Sequence, residues 1–126
     1  MTLPLDPKEW SASVLQQVFT PDEGPGDHSV IINFYRSLPD LDHLHALEMK
    51  LRRAVEDHGV GEHDGHEVAW DLSHGTLFLY GPNAEALFRI VKPYLDATPF
   101  MQGAECFLRF GGPGEDVPEL TVVIGA

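Results

Sequence analysis

Between Leu41 and Val55 the apolar residues Leu41, Leu44, Leu47, Leu51, Ala54 and Val55 return at steps of three and four, so a helix formed there has one apolar side and one charged side. Such a helix needs an apolar partner to cover its stripe. Asp40 is placed to cap its start, and Gly59 to supply the left-handed residue that ends it. A second helix of the same kind follows Asn83, with Leu87, Phe88, Val91, Tyr94 and Leu95 on its apolar face. Pro93 falls inside it. The missing amide and the crowding of the carbonyl four residues earlier predict a kink or a restart there.

Strand patterns supply the partner. SVIINFY, residues 29–35, is rich in β-branched and aromatic residues and bounded by turn formers, and it predicts a central strand. HEVAWD and TLFLY, joined by LSHG, predict a hairpin. ECFLRF and ELTVVIG predict a closing hairpin around GGPGEDVP. The chain order β-α-β-β-α-β-β is the split β-α-β pattern of an α+β, ferredoxin-like two-layer sandwich, with both helices on one face of an antiparallel sheet over residues 28–126. Ahead of it, Asp6, Pro7 and Glu9 form a helix start, and Trp10, Val14, Leu15, Val18 and Phe19 form a stripe. Residues 1–27 are therefore expected to be an additional N-terminal helix followed by the loop TPDEGPGD. A length of 126 residues fits one domain.

Twenty acidic against eight basic residues give a net charge of −12, a field that repels nucleic acid and anionic membrane surfaces, so neither is an expected partner. The opening MTLPLDPKEW has neither a basic start nor a long apolar run, and a cytoplasmic location is expected. The single cysteine, Cys106, sits in a strand pattern and reads as a small buried hydrophobe.

Period-two alternation that turns Val30, Ile32 and Phe34 toward the helices turns Ile31, Asn33 and Tyr35 away. Phe107, between Glu105 and Arg109, and Val123 join this second face, and the third strand is apolar on both sides. So mixed a face calls for a cover, either the leading helix or a second copy of the chain, with a ligand groove as the alternative. Tyr35, Tyr80, Phe107 and Arg109 are its candidate binding residues. A base-stacking RNA platform would want basic residues on the third strand, and TLFLYG has none.

Chemistry concentrates from Gly59 to Pro82, where Glu62, His63, Asp64, His66, Glu67, Asp71 and His74 follow Asp57 and His58. In a regular strand Glu62, Asp64 and His66 share one side while His63 and Glu67 take the other, so few donors converge unless Asp64-Gly65 forms a bulge or tight turn. The plainest reading is a solvated bend at the sheet edge, its carboxylates accepting amide bonds. Two sharper ones are a divalent metal site using His63, His66 and His74, and acid–base chemistry with Glu62, Asp64 or Glu67 paired to His66 or His74. No nucleophile elbow, phosphate loop or cysteine pair is present. His43 and His45 fall on the polar side of the first helix and read as solvated, and His28 reads as loop.

The run GVGEHDGHEVAWD, then HGTLFLYGPNAEALF, KPYLD and FMQGAECFLRFG, resembles a group of small uncharacterised bacterial proteins. In these a G-E-x-D-G-x-E segment precedes D/H-G-T-x-x-x-YGP-x-A-x-x-LF. Gly61, Glu62, Asp64, Gly65 and Glu67 match the first motif; Gly75, Thr76, Tyr80, Gly81, Pro82, Ala84, Leu87 and Phe88 match the second. The resemblance implies a ferredoxin-like α+β domain and no particular activity. His74 stands where that family favours an acidic residue. The expectation is a binding or protein-interaction domain that self-associates as a homodimer or takes another protein, without a resident cofactor. Its rival is a metal-dependent or acid–base enzyme built on the Glu62–Glu67 cluster, with Tyr80 or Arg109 in reach.

Overall fold

The computed structural model describes residues 28–111 and 116–125, so the expected leading helix lies outside the described residues. The strands are β1 (His28–Phe34), β2 (Glu62–Val68), β3 (Gly75–Gly81), β4 (Glu105–Arg109) and β5 (Glu119–Val123). Among the described residues the helices are α1 (Leu41–Asp57) and α2 (Ala84–Asp96), and a 3-10 turn spans Pro99–Met101. The protein is α+β, with one five-stranded sheet whose neighbours are all antiparallel.

Spatial order does not follow the chain: it is β2-β3-β1-β4-β5. β1, the first described strand, sits in the middle because each helix carries the chain over a neighbouring strand before it pairs again. β2 and β5 are the two edges. The alternation read from β1 holds. Val30, Ile32 and Phe34 are fully buried against the helices. They join Leu77 and Leu79 of β3, Cys106 and Leu108 of β4, and Leu120 and Val122 of β5 in one core. Into it α1 sends Leu44, Leu47, Leu51, Ala54 and Val55, and α2 sends Leu87, Phe88, Val91 and Leu95. Leu41, counted in the apolar stripe of α1, is 43% exposed and stays outside.

The helix ends follow the sequence signals. Asp40 accepts from the His43 amide at 3.1 Å, and Asn83 from the Ala86 amide at 3.1 Å. At the far end of α1, Gly59 has φ +62, its amide donates to the Glu56 carbonyl, and the Val60 amide donates to the Val55 carbonyl. That pair of bonds is a Schellman closure. Val60 packs on the core and aims the chain into β2.

Three expectations are corrected here. His28, read as loop, opens β1 and is buried, its Nδ1 accepting from the Ala84 amide at 3.1 Å. α2 runs unbroken through Pro93 to Asp96. Pro93 is on the exposed side near the helix end, where solvent can satisfy the carbonyl that loses its amide partner. The hairpin strand placed at HEVAWD starts four residues earlier, at Glu62, and ends at Val68. Trp70 and Asp71 belong to the turn, which Leu72 closes at φ +62 while its side chain packs on the core. Gly61 and Gly81 explain where β2 begins. A Cβ on Gly61 would lie 2.2 Å from the Tyr80 carbonyl oxygen, and one on Gly81 would lie 2.2 Å from the Val60 carbonyl oxygen. Only with both side chains absent can the two backbones approach so closely.

Candidate functional site

The bulge in β2 changes what the acidic, histidine-rich segment can do. Register shifts between His63 and Gly65, leaving Asp64 as the unpaired extra residue, with Gly65 at φ +131. His63 lies opposite Leu79 and His66 opposite Leu77, two residues wholly buried on the helix side. An odd separation of three would put the histidines on opposite faces of a regular strand. The inserted residue turns both toward α1. Glu62 and Glu67 stay on the other face, opposite Tyr80 and Thr76, and are exposed. This corrects the grouping expected for an unbulged strand.

On α1 the two imidazoles meet Glu48. Its carboxylate is buried, with its side chain only 9% exposed. His66 Nδ1 lies 2.8 Å from Oε1, and His63 Nε2 lies 2.8 Å from Oε2. The His63 contact is short but off the hydrogen-bonding direction, so neither ring nitrogen of this fully buried side chain has a hydrogen-bond partner among the described residues. Burial of the ring pushes the His63 pKa below its ordinary value, opposed by Glu48 and reinforced by Arg52 and His66. A buried carboxylate is tolerable only when its oxygens are engaged. Glu48 meets that condition through His66, whose Nδ1 is also 3.0 Å from Oε2, while the His63 ring contributes a close contact without a hydrogen bond.

One turn before Glu48 on α1, His45 completes the group. The donor atoms of His45, Glu48 and His66 all lie within 4.8 Å of one another, and the rings of His45 and His66 are 6.0 Å apart. Donors around a tetrahedral zinc ion with bonds of about 2.0 Å are separated by about 3.3 Å. Small rotations of the two exposed imidazoles would close the remaining gap. His45 was expected to be merely solvated, and Glu48 was missed. The signal was available: Leu44, Glu48, Leu51 and Val55 step by four, three and four along the buried seam, and one of them is charged.

The other candidates do not join this group. Asp64 is exposed at the bulge. His74 sits in the β2–β3 turn, its Nδ1 2.9 Å from the Ser73 hydroxyl, which in turn donates to Asp71 at 2.6 Å. On the face of the sheet away from α1 and α2, Tyr35 donates to Glu105 at 2.5 Å, a bond that raises the phenol's pKa, and Arg109 donates to Glu119 at 2.8 Å. Glu105 and Arg109 are opposite ends of β4, so Tyr35 and Arg109 do not converge. Between these ends Phe78, Ile31 and Phe107 form a half-buried apolar stripe, with Tyr80 beside it. Tyr35 is 56% exposed. Cys106 is fully buried, and burial raises its pKa, which keeps the thiol protonated and unreactive.

No helix among the described residues is long and apolar enough to cross a membrane. Comparisons with protein-family models, curated proteins and solved structures find no match to this chain, so its chemistry is read from this geometry.

Proposed function

We propose that this protein is a small binding domain that takes one divalent transition-metal ion on His45, Glu48 and His66, with His63 holding the carboxylate from behind. The observation that carries the reading is Glu48: a carboxylate in the buried seam of a helix, approached on both oxygens by imidazoles that a bulge has brought to one face. Two imidazoles and a carboxylate suit zinc, with nickel or iron next. His63 fits the role of an outer partner that fixes a ligating carboxylate. The ferredoxin-like reading of the fold is supported by the two helical crossings, each joining strands that have one other strand between them.

Calorimetric titration of metal-stripped protein tests this. One equivalent of zinc should bind, His45→Ala and His66→Ala should each weaken binding at least tenfold, and His74→Ala should not. Binding that survives both of the first two substitutions overturns the site.

Self-association through the sheet face away from the two helices is a second reading, favoured by the Phe78, Ile31 and Phe107 stripe. Light scattering across a hundredfold concentration range should show a dimer that Phe107→Glu dissociates. A monomer throughout would exclude it.

A further inference from the structure

We infer that the ligand completing this metal site is a carboxylic acid with an apolar arm, its carboxylate shared between the metal and Arg52 and its arm lying toward Leu41 and Trp70. The inference rests on the metal reading above. Arg52 stands one turn beyond Glu48 on α1, the spacing at which glutamate and arginine ordinarily pair. Glu48 is turned inward to His63 and His66 instead, and Arg52 has no hydrogen-bond or ion-pair partner among the described residues. A divalent ion held by a single carboxylate, with a guanidinium beside it, leaves local positive charge unbalanced in a chain whose net charge is −12. Three protein ligands also leave a coordination position for a further group. A two-oxygen head matches both needs, one oxygen on the metal and one on the guanidinium.

The apolar arm is argued from exposure. Trp70 is fully exposed, Met49 is 67% exposed and Leu41 43% exposed, large apolar side chains left in water around the same cluster. Two grooves meet at His66. One, of about 520 Å³, runs from it past Met49 to Arg52; the other, of about 340 Å³, runs to Leu41 and Trp70. Both fall in the size range of small-molecule clefts, which combine apolar walls with a few placed polar groups. Leu41 and Arg52 are eleven residues apart on one helix, about 16 Å between backbones, and an extended eight-carbon acid covers more than half of that distance while acetate covers little of it.

The chain has two tryptophans, and Trp10→Phe leaves Trp70 as the sole reporter. In the zinc-loaded variant, octanoate should shift Trp70 emission to shorter wavelength and bind at least tenfold more tightly than acetate or octanol. Arg52→Gln should weaken octanoate about tenfold, and Trp70→Ala, followed by calorimetry, should erase the preference over acetate. Octanoate binding that is equal with and without zinc, or indifferent to Arg52→Gln, overturns this inference and leaves the metal site standing. Failure of zinc to bind when titrated alone overturns the metal reading itself.

Discussion

Glu48→Gln should abolish the thermal stabilisation that zinc gives the native protein. At a hundredfold excess over its Kd, a ligand that binds only the folded form adds about 2.7 kcal/mol, which for a domain of this size raises Tm by roughly 10 °C. Glutamine keeps the length and one acceptor oxygen of Glu48 but removes the anionic donor. His66 loses the charged oxygen it faces at 2.8 Å, and so does the buried His63. Metal-free protein should therefore lose only about 1–2 kcal/mol, the difference between charge-assisted and neutral hydrogen bonds in a largely buried place. Zinc affinity should fall at least a hundredfold, about 3 kcal/mol. Melting curves with and without zinc separate the two effects: a structural role lowers both curves together, whereas a ligand role removes the gap between them. A variant that keeps the full zinc-dependent rise would show that Glu48 does not hold the ion.

The contrast between Glu48 and its surroundings also shows what could be read from the chain. α1 was legible because its cap, its stripe and its terminal glycine agree: Asp40, the leucines and Gly59 each do in space what their type suggests. β1 was legible for the same reason, with a strict alternation that the core obeys. β2 was not. EHDGHEV has few strand-forming residues, and it forms a strand because it lies at an edge, pairs on one side with β3, and is met from above by a carboxylate in place of a leucine. Periodicity cannot place His63 and His66 on one face, because their convergence depends on a bulge that breaks the period. Its position at Asp64-Gly65 was readable as the one place in the segment that favours irregular backbone. Its consequence was not, since that requires knowing which residue of α1 lies opposite. Pro93 marks a further limit, because the kink it predicts depends on whether the lost hydrogen bond would be buried, and exposure is a tertiary property.

Gly81→Ala should cost about 3 kcal/mol, far more than the same change at Gly59, and the comparison isolates sterics from backbone conformation. At Gly59 a Cβ meets nothing within 4 Å, so alanine there bears only the penalty of a left-handed φ of +62, about 1 kcal/mol. Gly81 has no such φ. Its added Cβ would lie 2.2 Å from the Val60 carbonyl oxygen and 3.0 Å from the Gly61 Cα, both backbone atoms that no rotamer change can move. Relief requires the segment at Val60 and Gly61 to retreat from the end of β3, and that segment leads directly into Glu62, which pairs with Tyr80. The first pairing of β2 then opens, and His63, one residue further, is drawn from Glu48. Gly81→Ala should therefore lower Tm by roughly 10 °C and weaken zinc binding together, although residue 81 touches no donor. Gly59→Ala should lower Tm by a few degrees and leave zinc affinity alone, since the Schellman closure ends before β2 begins. Equal losses in the two variants, or a Gly81→Ala protein as stable as the wild type, would mean that the close crossing of the two backbones does not set the position of the bulged strand.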